Sequence, residues 1–311
     1  NVPSDGIGGD MTFFDDFSGI AADRYIFAAL AGSVFNVANL ALCKGIAMLG
    51  LALAFPLCIG TAMVLGTVLS YVLKPSGNPL LLFIGVFVAF CAVCAAAVMH
   101  YFKEQQQSAA REVSLADNVS KEPLSGEGEP SSFRVAGDSG TASEPSMTRK
   151  LVVCIVGGIL MSLWNPLVVL ATNDPGLSPY GEFVFYSAAV TVTSLFLVPL
   201  IIAFPLEGGQ GDSPGAVLSK WSSTPCVCHV YSFLGAVVWT FGTLFNAIAG
   251  NSKKLSSAES YAIGQCAGVA AIFWGIFLFA EFKGTDMKVK GLIVLVLVLY
   301  VVAIAFITMA S

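Results

Sequence analysis

Long apolar blocks separated by short polar breaks dominate the chain. Eight blocks stand out, at about 25–43, 46–73, 79–102, 150–171, 179–204, 229–249, 258–280 and 289–309. A helix needs about 20 apolar residues to cross the hydrocarbon of a bilayer, and each block supplies roughly that number. In lipid the backbone has to satisfy its own hydrogen bonds, so continuous apolar blocks of this length predict helices. They are too long and too unbroken for the alternating strands of a membrane barrel. The pattern predicts an all-α, polytopic membrane helical bundle with about eight spans.

The polar breaks divide the chain further. Residues 1–24 hold no apolar run of signal-peptide kind and read as an extramembrane N-terminal segment. Residues 25–102 carry three spans. Residues 103–149 are rich in Glu, Ser, Gly and Gln and almost free of aromatic residues, a composition that predicts a disordered loop. Residues 150–311 carry the remaining five spans. Arg24, Lys74, Lys253 and Lys254 fall on the side of the N-terminal segment, and the other eleven Lys and Arg residues fall on the opposite side. Basic residues favour the cytoplasm, which places the 103–149 loop there.

Two stretches resemble each other at an offset of about 204 residues. Ala31 to Asn36 runs on to Gly60, and Leu234 to Trp239 runs on to Gly264. In each, a glycine-bearing helix passes a Gly/Lys turn, Lys44-Gly45 in one and 250–254 in the other, into a helix with a stripe of small residues. The sixth span lies five spans on from the first, an odd offset, so the two units would run in opposite directions. That is the inverted repeat of secondary transporters. The later unit has two helices ahead of its repeated pair. The earlier one would need the same, so the expected parent is an inverted five-plus-five bundle of ten helices, with its first two outside this sequence.

Composition narrows the class. The chain is 56% hydrophobic and 11% charged, with a mean hydropathy of +0.80, whereas soluble domains are about 25% charged. A net charge of −5 offers no basic footprint for nucleic acid. The eight cysteines lie mostly inside apolar blocks without metal-site spacing, so they read as packing residues and no metal or cofactor is expected. Nucleophile-elbow, zincin and phosphate-loop patterns are missing from the sequence, and no enzyme is expected.

Polar side chains at bilayer depth are costly unless they face a partner or a cavity, so they are the site candidates. Asn36 and Asn39 share a face of span one. Asn165 sits with Ser162, Trp164 and Pro166 in span four. Trp239, Thr243 and Asn246 line one face of span six, and Gln265 lies deep in span seven. Asn36, Asn39, Asn165, Trp239, Asn246 and Gln265 are therefore expected to bind substrate: amides pair with lactam and urea edges, and the indole stacks. Pro56, which interrupts span two, and Glu259 and Tyr261 at the start of span seven are expected to serve coupling or gating. The plain readings are interhelical hydrogen bonding for the amides and helix capping for Glu259.

At these residues a family resemblance appears. The run from Ala31-Gly32-Ser33 through Asn36 and Asn39-Leu40 resembles the Gly-Asn-Leu helix of ureide permeases, and Gly50-Leu51 through Gly66-Thr67 to Tyr71 is similar to their next helix. Ala171-Thr172-Asn173-Asp174 with Tyr180 and Phe185-Tyr186-Ser187, and Phe273-Trp274-Gly275 with Glu281, are similar to later helices of the same family. The resemblance implies the drug/metabolite transporter superfamily. It implies uptake of small polar heterocycles such as allantoin, uracil and xanthine, driven by protons. The partners it implies are the substrate, protons and the lipid bilayer, with the plasma membrane as the favoured location. The chain departs from the family pattern at two points: the loop has no phosphate-loop-like stretch, and Phe55 and Ala262 stand where acidic residues are expected. Two other readings remain: a sugar or nucleotide-sugar transporter of the same superfamily, and a non-transporting membrane scaffold acting through the 103–149 loop.

Overall fold

A computed structural model describes residues 17, 19–49, 54, 56–120, 146–205, 211–252, 254–277 and 282–310. Among these the regular elements are helices. They are α1 (Ala22–Leu49), a π-helical turn (Pro56–Gly60) that runs into α2 (Thr61–Leu73), α3 (Pro79–Ser120), α4 (Met147–Thr172), α5 (Pro179–Ala203), α6 (Pro214–Ser223), α7 (Cys226–Gly250), α8 (Ser257–Gln265), α9 (Gly268–Phe277) and α10 (Met287–Thr308). Their starts follow simple sequence signals. Asn78, Ser178 and Ser213 each precede a proline and each accepts hydrogen bonds from the first-turn backbone of α3, α5 and α6. A short polar side chain satisfies an orphan N–H there, and the proline has no N–H to leave unpaired.

Six helices, not eight, are long and apolar enough to cross a membrane among the described residues: α1, residues Pro79–Lys103 of α3, α4, α5, α7 and α10. The other two expected spans are not among them, and residues 50–53, 55 and 278–280 of those blocks lie outside the described ones. Block 46–73 yields only a shorter apolar helix, Leu57–Leu73, entered through the π-helical turn that begins at Pro56. Proline cannot donate to the ladder, and the backbone widens locally instead. Among the described residues, block 258–280 divides at Cys266–Ala267 into α8 and α9.

Three further expectations change. The Lys44-Gly45 turn does not form, because α1 stays helical to Leu49. Gly45 serves proximity instead: a methyl group there would collide with Cys154 Sγ on α4. α3 continues to Ser120, into the segment expected to be disordered, because residues 103–120 hold strong helix formers and neither Gly nor Pro. Residues 121–145 lie outside the described ones. α6, a short polar-capped helix between two spans, was not expected at all. The inverted repeat and the four-part division are not decided by these elements.

Packing follows the logic of lipid, where helices gain little from burying apolar surface and associate where small residues let backbones approach. α1 packs most extensively against α4 and α5, and α3 packs against α10. Ala28, Ala31, Gly32, Ala38 and Gly45 make the inner face of α1. Gly32 lies directly on the Tyr186 backbone of α5, where a β-carbon would overlap the carbonyl. Gly157 and Gly158 of α4 meet Ala41 and the turn at Cys58 in the same way. A second core joins α2, α3, α8 and α10 around Met63, Val93, Ala262 and Tyr300. Large apolar side chains such as Phe196, Leu195 and Val238 face outward, as a bilayer-embedded surface requires.

Gly32→Val should force α1 away from α5 and lower stability by about 2 kcal/mol. Gly235→Ala, where nothing lies within 4 Å, should stay within about 0.5 kcal/mol of the parent. Unfolding of the two purified variants in detergent checks both.

Candidate functional site

Where α4 and α7 end and α5 and α8 begin, the bundle closes around a small polar pocket. Trp164 and Asn165 of α4, Glu182 and Tyr186 of α5, Thr243 and Asn246 of α7, and Ser257 of α8 line it. Several arrive from a helix terminus or a break. Ser178 and Pro179 start α5 one turn ahead of Glu182. The capping box of Ser256 and Glu259 starts α8 beside Ser257. Pro166 sits inside α4 next to Asn165 and leaves the Ser162 carbonyl without its ladder donor. The free space is only about 10 Å³, room for roughly one water molecule.

Some polar groups around the pocket are fully engaged. Asn165 Nδ2 donates to Ser70 Oγ of α2 at 2.7 Å and to Ser257 Oγ of α8 at 3.4 Å, so one amide joins three helices. Asn246 Nδ2 donates to the Ser260 carbonyl at 2.7 Å, and Ser260 Oγ returns a bond to the Asn246 carbonyl at 2.8 Å. That reciprocal pair holds α7 to α8.

Others are not. Trp164 Nε1, Glu182 Oε1 and Tyr186 OH are buried and have no hydrogen-bond partner among the described residues. All three residues line the same pocket. Leaving a buried polar atom unmade costs about 1–3 kcal/mol, so three around one small space mark a place built for something else to bond there. Aromatic rings surround it. Trp164 meets Tyr186, Tyr261 and Phe35 with ring centroids 6.1, 5.6 and 5.9 Å away, and Phe35 in turn stacks on Trp239 at 5.3 Å. The set offers flat faces for a planar ligand and donors and an acceptor for its edges.

The residues picked out in the sequence are distributed unevenly. Asn165 and Asn246 line the pocket. Trp239 stands next to it, half exposed, reaching it through Phe35. Asn36 and Asn39 are separated: Asn39 is exposed, while buried Asn36 donates to Thr193 Oγ1 (2.9 Å), Ser194 Oγ (3.0 Å) and the Val190 carbonyl (3.3 Å) of α5. Gln265 is the half-buried last residue of α8, away from the pocket lining. Pro56 opens the π-helical turn. Tyr261 OH donates to the Ala62 carbonyl of α2 at 3.0 Å, and its ring lies against Gly66. Glu259 completes the capping box: its backbone N–H donates to Ser256 Oγ, and its Oε2 accepts from Ser256 N–H at 2.7 Å. Glu182 escaped the sequence reading. It is the one acidic residue in block 179–204, a signal by itself, yet its first-turn place reads as a complement to the helix dipole.

Six helices of membrane-crossing length around a buried polar pocket are the architecture of an integral, multi-pass membrane protein. The ureide permease family model matches residues 139–311, more than half of the sequence. The chain belongs to the ureide permease family, which makes it a transporter of a small molecule and not an enzyme. It is 26% identical to Ureide permease 1 of Arabidopsis thaliana over 96% of this chain and 81% of that protein. It is 24% identical to Ureide permease 2 of the same plant, over 92% and 78%. No solved structure matches.

The capping box gives the prediction here. Glu259→Ala should lose about 1 kcal/mol of stability, while Glu259→Gln, which can still accept from Ser256 N–H, should lose much less. Thermal unfolding of the two variants in detergent distinguishes them.

Proposed function

We propose that the chain carries small planar polar heterocycles across its membrane: ureides such as allantoin, with uracil and xanthine in the same chemical class. The observation that carries this reading is the pocket at Trp164, Glu182 and Tyr186, where three unpartnered polar atoms and several aromatic rings converge. Ureides and oxo-pyrimidines present alternating N–H and C=O groups on a flat ring. The amides of Asn165 and Asn246 answer both kinds of group, and Trp164, with Phe35 and Trp239 behind it, stacks on the face. The names of the Arabidopsis relatives point to the same substrate class.

Transport in this reading is alternating access driven by protons. The two broken elements support it. The turn and helix at Pro56–Leu73 and the pair α8–α9 fall at matching places in the two suspected repeats, and α2 and α8 meet at Gly66 and Tyr261. Discontinuous helices in equivalent positions of two inverted halves are the usual builders of a central site. The helices that follow the repeated pair in the two units, α3 and α10, also pack on each other. α7 is the element we expect to move. Only Gly250 is fully buried along it, and the Asn246–Ser260 pair ties its end to α8. Swinging it away enlarges a pocket now too small for a heterocycle. Pro56 and Tyr261 then act at the hinge between the halves, and the plasma membrane remains the favoured location.

Uptake of radiolabelled allantoin into proteoliposomes holding the full chain tests the reading. Uracil and xanthine should compete at both acidic and neutral external pH, and hexoses should not. Trp164→Ala should reduce uptake by about tenfold or more, the value of one lost stacking contact with its packing. Competition by hexoses as strong as by uracil, or no heterocycle movement by the parent chain, refutes it.

A further inference from the structure

We infer that Glu182 is the carboxyl that accepts the N–H edge of the transported heterocycle and carries the coupling proton, an inference that rests on the transport reading above. Two carboxyl side chains are buried to 1% exposure among the described residues, Glu182 and Glu259. They differ in employment. Glu259 Oε2 closes the capping box of α8, and its Oε1 lies toward Gly77, away from the pocket lining. Glu182 Oε1 has no hydrogen-bond partner among the described residues, and its residue lines the pocket together with two others, Trp164 and Tyr186, that each carry an unpartnered polar atom.

The groups around Glu182 leave it this role. On α5 itself, Tyr186 is the other ionisable residue of the pocket. α4 presents Trp164 and Asn165, α7 presents Thr243 and Asn246, and α8 presents Ser257, none of which ionises as a counter-charge. On α1, the Arg24 guanidinium donates to the Leu170 carbonyl, and Tyr25 OH donates to the Phe17 carbonyl at 2.9 Å. On α8, Tyr261 OH is spent on Ala62, and Glu259 on its cap. No Lys or Arg lines the pocket. A negative carboxylate there needs a proton or the N–H groups of a ligand to offset its burial. Either can arrive from the membrane face where the α4–α5 and α7–α8 connections lie. A proton from water on that face forms the O–H bond at Glu182. After α7 and the broken helices rearrange, the same bond breaks and the proton passes to water on the opposite face. A neutral heterocycle then crosses with one positive charge.

The test uses the purified full chain in proteoliposomes with radiolabelled allantoin. E182Q keeps an acceptor oxygen but cannot release a proton. It should bind allantoin with an affinity weakened by about tenfold or less. It should still exchange allantoin across the membrane without a gradient. It should fail to accumulate allantoin under an imposed proton gradient, matching the parent chain with the gradient collapsed by an ionophore. Accumulation by E182Q that follows the gradient as steeply as in the parent overturns the inference, as does loss of gradient dependence in E259Q but not in E182Q. Should E182Q not fold, the parent chain decides. Dicyclohexylcarbodiimide should label Glu182, seen by peptide mass, and allantoin should protect it. No labelling, or labelling that allantoin leaves untouched, overturns the inference. A parent chain that moves allantoin with no dependence on the proton gradient also overturns it while leaving the transport reading intact. A parent chain that neither binds nor moves allantoin overturns both.

Discussion

The contact of Gly32 with the Tyr186 backbone decides more about this molecule than its area suggests. In lipid, helices have little to gain from burying more apolar surface, so their spacing depends on where side chains are small enough to let backbones meet. Gly32 gives α1 that approach to α5. Asn36, one turn further along α1, then reaches Thr193 and Ser194 and locks the register. With α1 and α5 so fixed, Phe35 meets Tyr186 and Trp164, and Glu182, one turn before Tyr186, is carried into the interior. A larger residue at position 32 would move this whole aromatic and polar set through the Tyr186 backbone.

Polar side chains inside the bundle divide into two populations. Asn36, Asn165, Asn246, Glu259 and Tyr261 all have bonds that join one helix to another or cap an end. Trp164 Nε1, Glu182 Oε1 and Tyr186 OH do not. In an interior of low dielectric the first population stabilises the fold, and the second opposes it by leaving strong donors and an acceptor unused. A membrane protein tolerates such atoms when they meet a substrate or an ion along a path. Three of them converge on one pocket ringed by aromatic faces, and that convergence is what supports the proposed transport of a flat polar molecule.

Breaks in the helices serve the same end. Pro56 and the Cys266–Ala267 turn interrupt two apolar blocks, and Pro166 weakens the ladder of α4 beside Asn165. Pro166 and Cys266 are buried in protein, where neighbouring groups can satisfy a freed backbone. Each break also creates a place where a helix can bend without unfolding, as the proposed alternating access requires. The weakly packed α7 completes the arrangement, being bound to α8 chiefly at the pocket end.

What the amino-acid sequence determined was the membrane, the helices and the family. Hydrophobic length is a local property, and the bilayer imposes the same rule on every block, so α1, α3, α4, α5, α7 and α10 were legible from composition alone. The caps at Asn78, Ser178 and Ser213 are equally local in origin. Asn165 and Asn246 were also visible, as amides where amides are costly. The tertiary structure alone decided which polar groups have partners. Asn36 finds its acceptors 157 and 158 residues away, and Tyr261 finds Ala62 at a separation of 199. No local pattern distinguishes these from Glu182, which reads as an ordinary first-turn acid until four helices close around it. Satisfaction of a hydrogen bond depends on distance and direction between segments remote in the chain, and only the packed bundle sets those.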